Sequence, residues 1–65
     1  MTIQFNGDVR DVYAANLHAL LQELGLAGAR LATAVNGRFV PATARHDFPI
    51  ASGDRVEALA PMQGG

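Results

Sequence analysis

Asn16-Leu-His-Ala-Leu-Leu-Gln-Glu-Leu-Gly-Leu26 is the stretch whose reading decides the fold. Leu17, Leu20, Leu21 and Leu24 recur at i, i+3, i+4 and i+7, which places them in one stripe of an amphipathic helix. His18, Gln22 and Glu23 fall on the opposite, wet side. Asn16 suits the N-cap, where its side chain can accept from an orphan backbone N–H one turn in. Gly25 suits the left-handed position just past the last turn, with Leu26 closing back toward Leu21 as in a Schellman motif. The spacing therefore predicts a helix over 17–24 with both of its ends encoded locally. Two turns of helix are marginal alone, so these leucines need a sheet to cover.

The flanking sequence supplies the strands. Upstream, Ile3 and Phe5 alternate with Gln4 over Thr2–Asn6, the pattern of a half-buried strand. Asn6-Gly7 then signals a type I′ turn, which needs positive φ at both central residues, and the chain returns over Val9–Tyr13. Downstream, Leu31–Val35 is apolar on both faces and reads as a strand interior to the sheet. A second pair, Asn36-Gly37, turns it into Arg38-Phe39-Val40, and Pro41 ends that strand or puts it at an edge. Residues 42–49 are irregular, with room for a short helical turn, and Phe48 and Ile50 are expected to plug the core. Ser52-Gly53-Asp54 signals a turn into a last strand, Arg55–Ala60. That strand is expected to face Val56, Ala58 and Ala60 inward and Arg55, Glu57 and Leu59 outward. The order ββαββ, an irregular link, then β gives an α+β fold: a mixed sheet of about five strands packed on one main helix. With the first strand central, the last can lie beside it in parallel after a long crossover.

Composition narrows the class. The chain has 65 residues, enough for one small domain, and 49% of them are hydrophobic, enough for a packed core. There is no cysteine, hence no disulfide framework and no thiolate metal site. Five arginines, no lysine and six acids give a net charge of −1, which argues against general nucleic-acid binding. No apolar run is long enough to span a membrane, and Met1-Thr-Ile-Gln-Phe5 lacks the pattern of a signal peptide. These features lead us to expect a cytoplasmic protein with neither nucleic acid nor membrane as partner.

Individual polar residues carry little catalytic signal. His18 and His46 are far apart in sequence, lie in no metal-ligand spacing, and read as solvated side chains without a metal. Asp8 and Asp11 around Arg10 read as a solvated strand edge, Asp54 as a turn former, and Ser52 has no companions for nucleophilic work. Gly25 and Gly28 follow the helix instead of opening one, so no phosphate loop is present. No catalytic residues are assigned, and no bound cofactor is expected.

The last residues, Pro61-Met-Gln-Gly-Gly65, read differently. Two glycines after a strand offer an α-carboxylate on a tether that can pass a narrow channel without side-chain obstruction. The hairpin Ile3–Gly7, the helix segment Leu20–Gly25, Ala32–Gly37 with Val40-Pro41, Gly53-Asp-Arg-Val56 and Gly64-Gly65, in that order, resemble the small β-grasp, ubiquitin-like sulfur carriers. The resemblance spans essentially the whole chain and is nearest to the carriers of thiamine biosynthesis. It implies a β-grasp domain over 1–60 and a flexible tail over 61–65, and a protein carrier in place of an enzyme. By that resemblance the Gly65 carboxylate is adenylated by an E1-like adenylyltransferase that uses ATP. A sulfur-donating enzyme then supplies sulfur for a thiocarboxylate, which thiazole synthase consumes. Gly64 and Gln63 would pass into the partner's site. Leu59 and Met62 are expected to form an apolar partner-binding surface, rimmed by Arg55 and Glu57. Other readings stay open: the small subunit of molybdopterin synthase, a carrier for another sulfur pathway, a ubiquitin-like modifier, or a β-grasp module that binds without covalent chemistry.

Overall fold

The computed structural model describes residues 1–60. The helix, α1, spans Leu17–Glu23, one residue shorter than its leucine spacing predicts. Asn16 has extended backbone, and its Oδ1 accepts from the Ala19 N–H at 2.8 Å. At the other end Gly25 has φ +76°, the Leu26 N–H donates to the Leu21 carbonyl at 2.7 Å, and the Gly25 N–H donates to Gln22 at 3.1 Å. These are the two bonds of a Schellman motif. Leu17, Leu20 and Leu21 are buried and Leu24 half-buried, each fully buried leucine contributing roughly 2 kcal/mol by removal from water.

Five strands carry the helix: β1 (Thr2–Phe5), β2 (Asp8–Asp11), β3 (Ala32–Val35), β4 (Arg38–Val40) and β5 (Arg55–Leu59). Asn6 and Gly7 take φ values of 49° and 86°, and Asn36 and Gly37 values of 52° and 83°. Positive φ at both central residues is what a two-residue type I′ hairpin requires. The sheet order is β2-β1-β5-β3-β4. β1 pairs antiparallel with β2 and parallel with β5, while β3 lies antiparallel between β5 and β4. As expected, β5 lies parallel beside β1 inside the sheet, and it is β5 rather than β1 that takes the middle place of the five. Each hairpin has two free edges; β5 fills the gap between β1 and β3, and β2 and β4 remain as the outer edges of the sheet. This arrangement, one helix across a five-stranded mixed sheet, is the β-grasp fold.

The core lies between α1 and one face of the sheet. It is built from Ile3, Phe5, Val12, Leu17, Leu20, Leu21, Val35, Val40, Ile50, Val56 and Ala58, with Phe48 packed against it. Ala60 is exposed, against the expectation of an inward side chain, because β5 ends at Leu59. Tyr13 falls beyond β2 and is 94% exposed. The irregular link contains a 3-10 helix over Ala42–Asp47. It is anchored by Arg45, whose Nε donates to the Thr33 hydroxyl at 3.0 Å and whose Nη2 donates to the Leu31 carbonyl at 2.6 Å. The Thr33 hydroxyl in turn donates to the Val40 carbonyl at 2.7 Å, so the buried Thr33 is fully satisfied. Among the described residues no helix is long and apolar enough to cross a membrane.

Candidate functional site

β5 is held from both sides by the asparagines of the two turns. On one side the Asn6 N–H donates to the Val56 carbonyl at 2.9 Å. The Asn6 side chain then acts as a further rung of backbone, accepting from the Ala58 N–H at 2.9 Å and donating to the Ala58 carbonyl at 3.1 Å. On the other side the Asn36 N–H donates to the Arg55 carbonyl at 2.8 Å, and its Oδ1 accepts from the Arg55 N–H at 2.9 Å. Asn36 Nδ2 also donates to Asp54, which caps the Ala51 N–H. Residues chosen for turn geometry thus also fix the strand that leads to residues 61–65. Sequence reading found the turns but not the clamps, since the amide's partner lies 52 residues away in one case and 19 in the other.

The face of β5 turned away from the helix carries Arg55, Glu57 and Leu59, all exposed, as expected. Register sets their neighbours. Leu59 lies opposite Ala32, Glu57 opposite Ala34, and Ala34 opposite Phe39. Leu59 and Phe39 are 64% and 69% exposed, and together with Ala32, Ala34 and the Glu57 stem they line a shallow depression of about 210 Å³. Phe39 is the residue that sequence reading missed here; its place after a strong turn, alternating with the buried Val40, was the available signal. The other half of the face is polar, with Arg55 beside Gln4 and Asn6 next to it. Apolar and polar halves meet at Glu57. Met62, Gln63, Gly64 and Gly65 lie outside the described residues.

On the opposite side of the molecule the structure departs from expectation. His18 of α1 and His46 of the 3-10 helix stack with ring centroids 3.7 Å apart and planes 22° from parallel. They are half-buried and exposed respectively, and neither is the isolated solvated side chain that spacing suggests. No group of three or more His, Cys, Asp or Glu capable of holding a metal occurs among the described residues. Glu23 is exposed, as its place on the wet face of the helix predicts, and its carboxylate accepts from the Tyr13 N–H at 3.0 Å and the Ala14 N–H at 2.9 Å. It ties the β2–α1 link to the end of the helix.

The model of the ThiS family matches residues 3–65 of this chain. The chain belongs to the ThiS family. Among solved structures, this ThiS-family chain is similar to the crystal structure of the thiamine biosynthesis protein ThiS from Geobacter metallireducens. The TM-score is 0.86 at 32% identity, over 100% of both chains. It is likewise similar to the NMR solution structure of a thiamine biosynthesis protein from the same organism, with TM-score 0.76 and 32% identity over 100% of this chain and 88% of that one. No curated protein matches the sequence.

Proposed function

We propose that this chain is a sulfur carrier of thiamine biosynthesis that works through the α-carboxylate of Gly65. The observation that carries the reading is the family match over residues 3–65, joined to a full-length structural likeness to a thiamine biosynthesis protein. The chemistry proceeds on a carboxylate that is a poor acyl donor until activated. An E1-like adenylyltransferase binds the carrier, a Gly65 carboxylate oxygen attacks the α-phosphorus of ATP, and pyrophosphate leaves. The outer sulfur of a donor-enzyme persulfide then adds to the acyl carbon and expels AMP, and a thiol attacks the inner sulfur of the resulting acyl disulfide, releasing the thiocarboxylate and leaving a disulfide on the donor. Thiazole synthase takes that sulfur. The chain itself supplies recognition and reach, and the enzymes supply catalysis.

In this reading Gln63 and Gly64 enter the partner's channel, and Met62 joins Leu59 at the docking surface. Threading a tail costs ordering entropy, so affinity has to come from the folded domain. The open face of β5 fits that need: an apolar depression around Leu59 and Phe39, with Arg55 and Glu57 as a charged rim.

The test is the intact mass of the protein purified under gentle reducing conditions, followed by sequencing of its C-terminal peptide. Replacement of one carboxylate oxygen by sulfur at Gly65 is the expected product. A plain carboxylate that persists with ATP, an E1-like enzyme and a sulfur donor present overturns the proposal.

A further inference from the structure

β2 is one of the two edges of the sheet, and its backbone has a definite pattern of free groups. Met1 and Val12 exchange both main-chain bonds, each at 2.8 Å. Bonded and non-bonded pairs alternate along an antiparallel ladder. Ile3 with Arg10 and Phe5 with Asp8 are therefore bonded pairs, while Gln4 with Val9 and Thr2 with Asp11 are not. The Gln4 N–H confirms the parity, since it points the other way and donates to the Asp54 carbonyl at 2.9 Å. The N–H and C=O groups of Val9 and Asp11 therefore face outward from the sheet edge. The next outward N–H, that of Tyr13, is already capped by Glu23.

An exposed edge of this kind is a template for another strand. We propose that it pairs with β2 of a second copy of this chain, in antiparallel register centred on Val9. Parity allows a two-fold centred on any of the four residues of β2, because a bonded pair must join residues whose groups both face outward; centring on Asp8 sets two carboxylates opposite each other at the closest spacing. Centring on Asp11 sets two carboxylates opposite each other and runs into Tyr13. Centring on Arg10 sets two guanidinium-bearing side chains opposite each other at the closest cross-strand spacing. Centring on Val9 joins Val9 to its own counterpart by two main-chain bonds. It also places Asp8 opposite Arg10 of the other copy, twice, by symmetry. Opposite charges directly across a strand pair stabilise it and like charges destabilise it.

Other features agree with this register. Asp8 and Arg10 are exposed and have no ion-pair partner among the described residues, whereas Asp11 already lies 3.4 Å from the N-terminal ammonium. Val9 is 70% exposed, an apolar side chain at the centre of the proposed joint. Gly7 comes opposite Asp11 and offers no side chain to obstruct it. The joined sheets form a ten-stranded surface, with β5 and its open face two strands away from the joint in each copy. This inference stands apart from the sulfur-carrier reading.

Sedimentation equilibrium from micromolar to millimolar protein, with the Val9 amide followed by NMR, tests it on the full chain. Val9→Pro removes the outward N–H but no bond to β1, a substitution edge strands accept. It is expected to leave the far-UV spectrum unchanged and abolish the dimer. Asp8→Arg is expected to weaken association roughly tenfold, by loss of two pairs and gain of two repulsions. The double variant Asp8→Arg with Arg10→Asp is expected to restore it. A monomer at every concentration, a dimer indifferent to Val9→Pro, or a failure of the double variant to recover association would each overturn the proposal.

Discussion

Replacing Asn6 by glycine removes a side chain while keeping the turn's left-handed backbone accessible. The structure fixes what is lost: the 2.9 Å bond from the Ala58 N–H and the 3.1 Å bond to the Ala58 carbonyl. At about 1 kcal/mol for each net hydrogen bond, the cost is about 2 kcal/mol. Asn6→Ala loses the same bonds and also forces a Cβ-bearing residue into φ 49° without the local bonding that suits asparagine there. That adds about 1 kcal/mol, for a total of about 3 kcal/mol. A chain of 65 residues has a whole stability of about 3–10 kcal/mol, so either change is a large fraction of it. Urea unfolding followed by far-UV circular dichroism gives the difference, and hydrogen exchange at the Ala58 amide locates it. The Ala58 amide is expected to lose protection in both variants, while the core amides lose it only in step with global stability. A glycine variant within about 0.5 kcal/mol of the parent would show that water replaces the clamp without loss and would refute the reasoning.

Three further outcomes are expected. Thr33→Val removes a hydroxyl that is 1% exposed and leaves Arg45 Nε without its acceptor, while the Val40 carbonyl loses one of its donors; a loss of about 1–3 kcal/mol in urea titration is expected. Glu23→Ala frees the Tyr13 and Ala14 N–H groups and should raise their exchange rates without shifting those of β5. Leu59→Ala with Phe39→Ala should weaken binding to an E1-like partner in calorimetry while leaving the unfolding midpoint nearly unchanged, because both side chains are mostly exposed; unchanged affinity would remove this face from the proposed docking surface.

The helix was readable almost to the residue because its signals are local. Asn16, the leucine stripe and Gly25 lie within one continuous stretch, and each acts on backbone at most one turn away. The hairpins were readable for the same reason. The parallel pairing of β5 with β1 was readable from the long crossover, but its pairing with β3 on the other flank was not. Ala60 was misassigned because strand alternation says which way a residue points but not where the strand stops. The site was partly legible: alternation put Arg55, Glu57 and Leu59 on the outer face, but Phe39 reaches Leu59 only through the register of β4 and β3 on β5. His18 meeting His46, Glu23 capping the β2–α1 link and Arg45 holding Thr33 all join segments distant in sequence. Nothing in the local pattern of either partner announces such contacts.

The central place of β5 also has a mechanical consequence. Any force drawing on residues beyond Ala60 is transmitted along the axis of the middle strand, with ladders on both flanks. Its bonds to β3 run roughly perpendicular to that axis, so a pull loads them together in shear instead of peeling them one at a time. The two asparagine side chains add rungs near opposite ends of the loaded strand. An edge strand pulled the same way would have only one ladder to share the load. A pull applied beyond Ala60 therefore meets the resistance of two ladders at once.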